Sequence, residues 1–192
     1  MMDAQTPAAG MVCIMDAAEI ARALRRIAHQ ITERNGARGA AGLALVGIYT
    51  RGVEVARRLT DLIEGIEGVR PAFGALDVSM HRDDLKRRAR LTSIQPTQLP
   101  IDLDTRTVVL VDDVFFTGRT IRAAIDALGE YGRPATIQLA ALVDRGHREL
   151  PIRPDYTGKD LPTSLKERVR VRFEPLDGEP DAVWLAKPDD ET

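Results

Sequence analysis

Apolar residues follow two alternating rhythms along this chain. From about Asp16 to the Asn35-Gly36 pair, Ile20, Leu24, Ile27 and Ile31 recur on one stripe. That spacing, about 100° per residue, predicts an amphipathic helix over about 17–34 with Asp16 as its N-cap. Gly42 to Ile48 (GLALVGI) is an unbroken apolar run, the pattern of a strand buried on both faces. Arg51-Gly52 opens a second predicted helix, about 52–64, and Val69 to Met80 alternates like a strand. The span 82–106 shows no sustained period. It carries Arg82, Lys86, Arg87, Arg88 and Arg90, then Pro96 and Pro100. A loop this long in a compact domain is usually functional or mobile.

Thr107 to Asp113 (TVVLVDD) is the clearest buried strand, followed by a predicted helix over 119–130 and a further strand over 136–143. Strands alternating with helices imply an α/β fold, a mainly parallel central sheet flanked by crossover helices. Residues 1–10 read as a loose leader. Asp144 to Pro162 is rich in Arg, Gly and Pro and reads as an excursion off the sheet, so that a small hood is expected over about 145–165, completed by short strands near 168–173 and 182–186. From Glu174 onward seven acidic residues meet one Lys, which predicts a solvated segment ending in an acidic tail, 187–192.

With 192 residues, one domain over 1–192 is expected. Apolar residues at 44% and charged residues at 29% suit a packed core and argue against disorder. Lys and Arg (27) balance Asp and Glu (29), so any nucleic-acid role must rest on a local patch. The single cysteine, Cys13, excludes a disulfide framework and a cysteine-rich zinc site. No apolar run approaches the ~18 residues of a membrane span, and the first ten residues lack a basic stretch followed by an apolar one. A cytoplasmic protein without a membrane partner is expected.

The candidate chemistry lies at the end of the 107–113 strand. Val108, Val109, Leu110 and Val111 lead into Asp112-Asp113, then Val114-Phe115-Phe116, then Thr117-Gly118-Arg119-Thr120 at a predicted helix start. Ligands of parallel sheets bind beyond the carboxyl ends of the strands. A helix N-terminus with a glycine and two threonine hydroxyls suits a phosphate. Two adjacent acids suit neighbouring ribose hydroxyls or a hydrated Mg²⁺, so a sugar phosphate satisfies the whole set.

This segment resembles the signature of the type I phosphoribosyltransferases. Val46-Gly47-Ile48-Tyr49-Thr50-Arg51-Gly52 resembles their pyrophosphate loop, and His81-Arg82-Asp83-Asp84-Leu85 the start of their catalytic loop, with His81 where the family usually has Tyr. Val143-Asp144-Arg145-Gly146-His147-Arg148-Glu149-Leu150-Pro151-Ile152-Arg153 and Gly158-Lys159-Asp160-Leu161-Pro162-Thr163-Ser164 resemble the branch that combines pyrimidine-operon regulation with uracil phosphoribosyl transfer. The resemblance implies that Asp112, Asp113 and Arg82 are catalytic. Thr50, Arg51, Val109–Val111 and Val114–Thr120 would bind 5-phosphoribosyl-1-pyrophosphate (PRPP) or uridine monophosphate (UMP). Val143, Asp144 and Arg145 would meet the base. Mg²⁺ would be held by pyrophosphate and water, with no dedicated protein metal site.

A second feature is cationic. Arg22, Arg25, Arg26 and His29 lie at i, i+3, i+4 and i+7 on the first helix, opposite its apolar stripe and with no acid between them. Charges on an amphipathic helix usually form a solvated face. The resemblance instead places them, with Arg148, Arg153 and Lys159, on a surface for pyrimidine-operon leader mRNA in a homodimer or higher even oligomer, with UMP or UTP promoting binding. Two other readings stay open on sequence: a nucleotide-sensing RNA binder with little catalysis, and a purine-type transferase without an RNA role.

Overall fold

The computed structural model describes residues 11–36, 38–81, 95–100 and 102–187. The expected leader 1–10, Arg82 with the basic stretch after it, and acidic residues 188–192 lie outside the described residues.

Five parallel strands form the main sheet: β2 (Leu43–Ile48), β3 (Ala72–Leu76), β4 (Thr107–Phe115), β5 (Thr136–Asp144) and β6 (Tyr156–Asp160), in the order β3-β2-β4-β5-β6. Every residue of β2 is buried, as are the first six of β4, and for that reason both read as continuous apolar runs. Helices α1 (Ala17–Asn35) and α2 (Arg51–Glu67) cover one face, packing Ile20, Leu24, Ile27 and Leu59 against Leu45, Val109 and Val111. Helix α3 (Arg119–Leu128) covers the other, packing Ile121 and Leu128 against Val46, Val108 and Leu110. Helix α1 starts as expected. The Asp16 carboxylate accepts from the Glu19 N–H at 2.7 Å, and the Glu19 carboxylate accepts from the Asp16 N–H at 2.9 Å.

A second, separately hydrogen-bonded sheet joins the first core through Met15, Val171, Phe173 and Val183. Strands β1 (Met11–Met15), β7 (Arg168–Arg172) and β8 (Ala182–Ala186) pair antiparallel in the order β1-β8-β7, with the short helix α4 (Glu174–Asp177) between β7 and β8. This is the hood.

Three expectations need correction. Helix α2 runs on to Glu67, because nothing stops it before Gly68, whose left-handed φ of 69° lets its N–H close on the Glu64 carbonyl at 2.8 Å. The hood does not hold all of 145–165: β6 is the edge strand of the main sheet. Its sequence, YTGKD, is too polar to read as a strand. It is held by the Tyr156 ring, which is buried in a polar knot with Asn35 and Gln138, and by the Asp155 carboxylate accepting from the Leu139 N–H at 2.9 Å. The acidic segment from Glu174 is not free in solvent. Asp177 pairs with Arg51 and Asp181 with Arg58, both on α2. No described helix is long and apolar enough to cross a membrane.

Candidate active site

Strands β2 and β4 are parallel neighbours, in register from Leu43↔Thr107 to Gly47↔Val111, so the turns after them open at the same sheet end. After β2, a cis Tyr49–Thr50 peptide leads into α2. Gly52 sits so close to β4 that a Cβ there would fall 2.5 Å from the Val111 carbonyl oxygen. Only glycine allows that approach, and it brings Arg51 to the acids at the end of β4. Asp112 is buried and its carboxylate accepts the Asp113 N–H at 3.0 Å. Burial pushes the Asp113 carboxyl above the usual carboxylate range, against the pull of the Asp112 hydrogen bond and of the Arg51 charge.

The loop after β4 turns at Gly118, whose φ of 91° is left-handed, and α3 begins there with no side-chain cap on its N-terminus. The Arg119 N–H reaches Thr117 Oγ1 only at 3.4 Å. First-turn N–H groups and the positive helix end are therefore presented at the loop. The segment after β5 is fastened across this loop. The Glu149 and Leu150 N–H groups donate to the Thr117 carbonyl at 3.0 and 3.3 Å, and Glu149 pairs with Arg119 at 2.6 Å.

Two cavities open here. The larger, about 470 Å³, is bounded by Arg51 and Asp113 on the sheet side and by Val169–Arg172, Asp177 and Glu179 of the hood. The smaller, about 250 Å³, is bounded by Asp144–Arg148, Asp160, Pro162 and Thr163. The hood residues of the larger cavity were missed in the sequence. Asp177 lies 126 positions from Arg51, and nothing in its neighbourhood but acidity marks it.

The expected site residues divide into groups. Thr50, Arg51, Asp112, Asp113 and Thr117–Thr120 gather at the one sheet end. Val109, Leu110 and Val111 do not present side chains to a ligand. They are wholly buried, Val109 and Val111 under α1 and α2, Leu110 under α3, because a central strand alternates into two cores. Val114 packs against the first core and Phe115 is buried in the second. Phe116 lies under the Arg145 guanidinium, 4.0 Å from the ring centroid. Arg145 is itself buried, donating to Thr163 Oγ1 and to the Ser164 and Glu167 carbonyls, so it is a latch and not a free cation. The Asp144 carboxylate accepts from the Gly146 N–H at 2.9 Å and pairs with Arg148, so it caps its own turn. Val143 is buried.

On α1, Arg22, Arg25 and His29 are exposed, and their side chains have no hydrogen-bond or ion-pair partner among the described residues. Arg26 differs: its guanidinium donates to the Thr157 and Gly158 carbonyls of β6 and ties helix to strand. Arg153 is exposed, and Arg148 is engaged by Asp144. Lys159 is three residues from Tyr156 on one strand, so its side chain leaves the face opposite to that covered by α1.

A parallel sheet with a hood, carrying two acids and an uncapped helix start at one strand end, defines a phosphoribosyltransferase of the type I fold. The model of the phosphoribosyl transferase domain matches residues 14–170. A hypoxanthine phosphoribosyltransferase structure from Trypanosoma cruzi superposes with a TM-score of 0.72 over 94% of this chain and 97% of that one, at 16% identity. The "Bifunctional protein PyrR" of Chloroflexus aurantiacus is 56% identical over 172 residues, 90% of this chain and 93% of the relative, and that of Deinococcus radiodurans is 54% identical over 92% and 95%. The chain belongs to the PyrR family of phosphoribosyl transferase domains.

Proposed function

We propose that the protein transfers the 5-phosphoribosyl group of PRPP to uracil, giving UMP and pyrophosphate. With a uridine nucleotide, UMP or UTP, in the same site, it binds the leader mRNA of pyrimidine biosynthetic genes. The observation that supports the enzymatic half is the convergence of Arg51, Asp113 and the uncapped start of α3 at one sheet end. Asp112 and Asp113 accept hydrogen bonds from the ribose hydroxyls. Asp113 also offers negative charge to the sugar ring as its bond to pyrophosphate lengthens. The Thr117–Thr120 turn holds the 5′-phosphate, and Thr50 and Arg51 hold the pyrophosphate. With the Asp144 carboxylate engaged by Gly146 and Arg148, the base is met by backbone groups of 143–146 at the smaller cavity. Arg82, which lies outside the described residues, adds positive charge toward the leaving pyrophosphate.

Mg²⁺ fits the donors present. Asp112 and Asp113 offer two adjacent carboxylates at the strand end, which suits a cation that keeps its waters and leans mainly on substrate phosphates. When bound, it neutralises charge on the leaving pyrophosphate. Exposed Arg22, Arg25 and His29 support the RNA half, with exposed Arg153 as a further phosphate contact. The protein works in the cytoplasm, and the RNA surface is shared within a homodimer or higher even oligomer.

The test is initial velocity with uracil, hypoxanthine or guanine, each with PRPP and Mg²⁺, beside filter binding of leader RNA with and without UMP. Turnover of uracil alone is expected, with tighter RNA binding in UMP. Turnover of a purine base instead overturns the reading, and RNA binding without any turnover reduces it to a nucleotide sensor.

A further inference from the structure

Arg51 is engaged by the protein's own acidic segment. Its Nη2 lies 2.6 Å from Asp177 Oδ1, and Asp177 belongs to the hood. The contact is incomplete. Asp177 Oδ2 accepts the Phe173 N–H at 2.9 Å, so one carboxylate oxygen serves Arg51, and Arg51 Nε is left buried with no hydrogen-bond partner among the described residues. A guanidinium prefers an anion that fills its fork. Asp177, Arg51 and Asp113 border the same cavity of about 470 Å³, and the hood also sets Glu179 against Arg172 there. The acidic hood segment therefore occupies cleft arginines with its own carboxylates.

We propose that Asp177 is an internal stand-in for the pyrophosphate end of PRPP, held on Arg51 in the empty site and displaced when substrate binds, so that Asp177 sets the affinity for PRPP without entering the chemistry. This rests on the reading of Arg51 as a pyrophosphate ligand. Two properties follow. The apparent affinity for a ligand falls by the fraction of protein in which its contact is already taken. Once displaced, the carboxylate still borders the cleft and repels the pyrophosphate, a repulsion that UMP, which carries no pyrophosphate, does not meet. Asp177 is thus a positioning residue, acting through Arg51 on one ligand class.

The experiment is Asp177→Asn in the full chain, with calorimetric titration of inorganic pyrophosphate with Mg²⁺, of PRPP and of UMP, and steady-state kinetics with uracil. Removing one partner of a part-exposed ion pair and one negative charge from the cleft is expected to tighten pyrophosphate and PRPP about three- to tenfold and to lower KM for PRPP by the same factor. Expected kcat stays within about twofold, and UMP affinity is unchanged. Asp181→Asn, which cuts the ion pair further along the hood, lowers Tm but leaves KM for PRPP unchanged, which separates a general loosening of the hood from a local effect. Asp177→Ser, which keeps an oxygen for the Phe173 N–H, is the second variant if the first does not fold. Unchanged or weaker PRPP binding by a folded variant overturns the proposal, as does an equal shift for UMP. Arg51→Gln distinguishes the failures. If Arg51→Gln weakens pyrophosphate binding while Asp177→Asn changes nothing, only the proposal falls. If Arg51→Gln leaves pyrophosphate binding intact, the reading of Arg51 falls with it.

Discussion

Arg51 and Arg58 stand seven residues apart on α2, each facing an aspartate of the hood, and they do different work. Arg58 is well satisfied. It pairs with Asp181 through two nitrogens, donates through Nε to Glu54 at 2.7 Å, and lies over the Phe173 ring, 4.7 Å from its centroid. Its side chain is 22% exposed and that of Asp181 is 13% exposed. Arg51 is 37% exposed, holds one oxygen of Asp177, keeps a buried nitrogen unpaired and borders the cavity with Asp113. The rear pair has no unmet donor to offer a ligand and fastens the hood to α2. The front pair leaves an unmet donor at the cleft. An ion pair whose hydrogen bonds are complete specifies a structure, whereas one left incomplete at a cavity is available for binding.

The largest expected effect belongs to the front region. Asp113→Asn keeps shape and one acceptor oxygen but removes the charge facing the sugar ring, and is expected to cut kcat about 100-fold, read as initial velocity of UMP formation. Its stability should move the other way. Burial raises the Asp113 pKa in the fold, so ionising it costs stability as pH rises through that raised value, and the cost vanishes below the unfolded value of about 3.9. The variant should therefore melt at the same temperature as wild type near pH 3.5 and higher than wild type at pH 8. A lower melting temperature at pH 8 would break the link between burial and charge.

Arg51→Gln should weaken pyrophosphate and PRPP binding by about 10- to 30-fold, as expected for a lost charge-assisted contact, with little change in urea unfolding. Arg58→Gln should do the reverse, lowering unfolding free energy by about 2 kcal/mol with KM for PRPP unchanged. Asp181, whose carboxyl is pulled below its usual range because its Arg58 and Glu174 hydrogen bonds outweigh burial, should lend stability above its unfolded pKa and lose it as pH falls through the lowered value. Equal loss of stability in the two arginine variants would erase the distinction.

Thr117→Val extends the front region to the phosphate turn. It should weaken PRPP and UMP together, by about 1.5–3 kcal/mol each, since both share the 5′-phosphate. Calorimetry that finds loss for one ligand alone would place Thr117 elsewhere.

The smallest effect concerns RNA. Arg22→Ala with His29→Ala should leave phosphoribosyl transfer intact, weaken leader RNA binding by about tenfold at low salt, and lower the salt slope by about one unit for the lost arginine. Filter binding at several salt concentrations decides it. Arg26→Ala is the contrasting variant: because Arg26 also ties α1 to β6, it should cost stability, seen as a lower Tm, which the double variant keeps.

Local pattern determined much of this protein. Unbroken apolar runs marked β2 and the body of β4, because strands covered on both faces have few polar positions to interrupt them. Ile20, Leu24, Ile27 and Ile31 marked α1, and Asp16 marked its start, since both signals act within one or two helical turns. The Asp112–Thr120 segment showed its chemistry in sequence because strand end, acids and phosphate turn are contiguous. Other features depended on contacts between distant segments. β6 is a strand because Tyr156 reaches Asn35 and Gln138, not because YTGKD favours one. β1 exists only in pairing with β8 from the other end of the chain. Arg26 read as a surface cation and Arg145 as a contact of the base until backbone carbonyls from distant segments were brought to them. The same holds for Asp177, an acid in an acidic stretch, which becomes part of the candidate site only when the hood folds back and sets it 2.6 Å from Arg51. Periodicity reports which face of an element is buried, but the partner of a polar side chain is decided by which segments the fold makes neighbours.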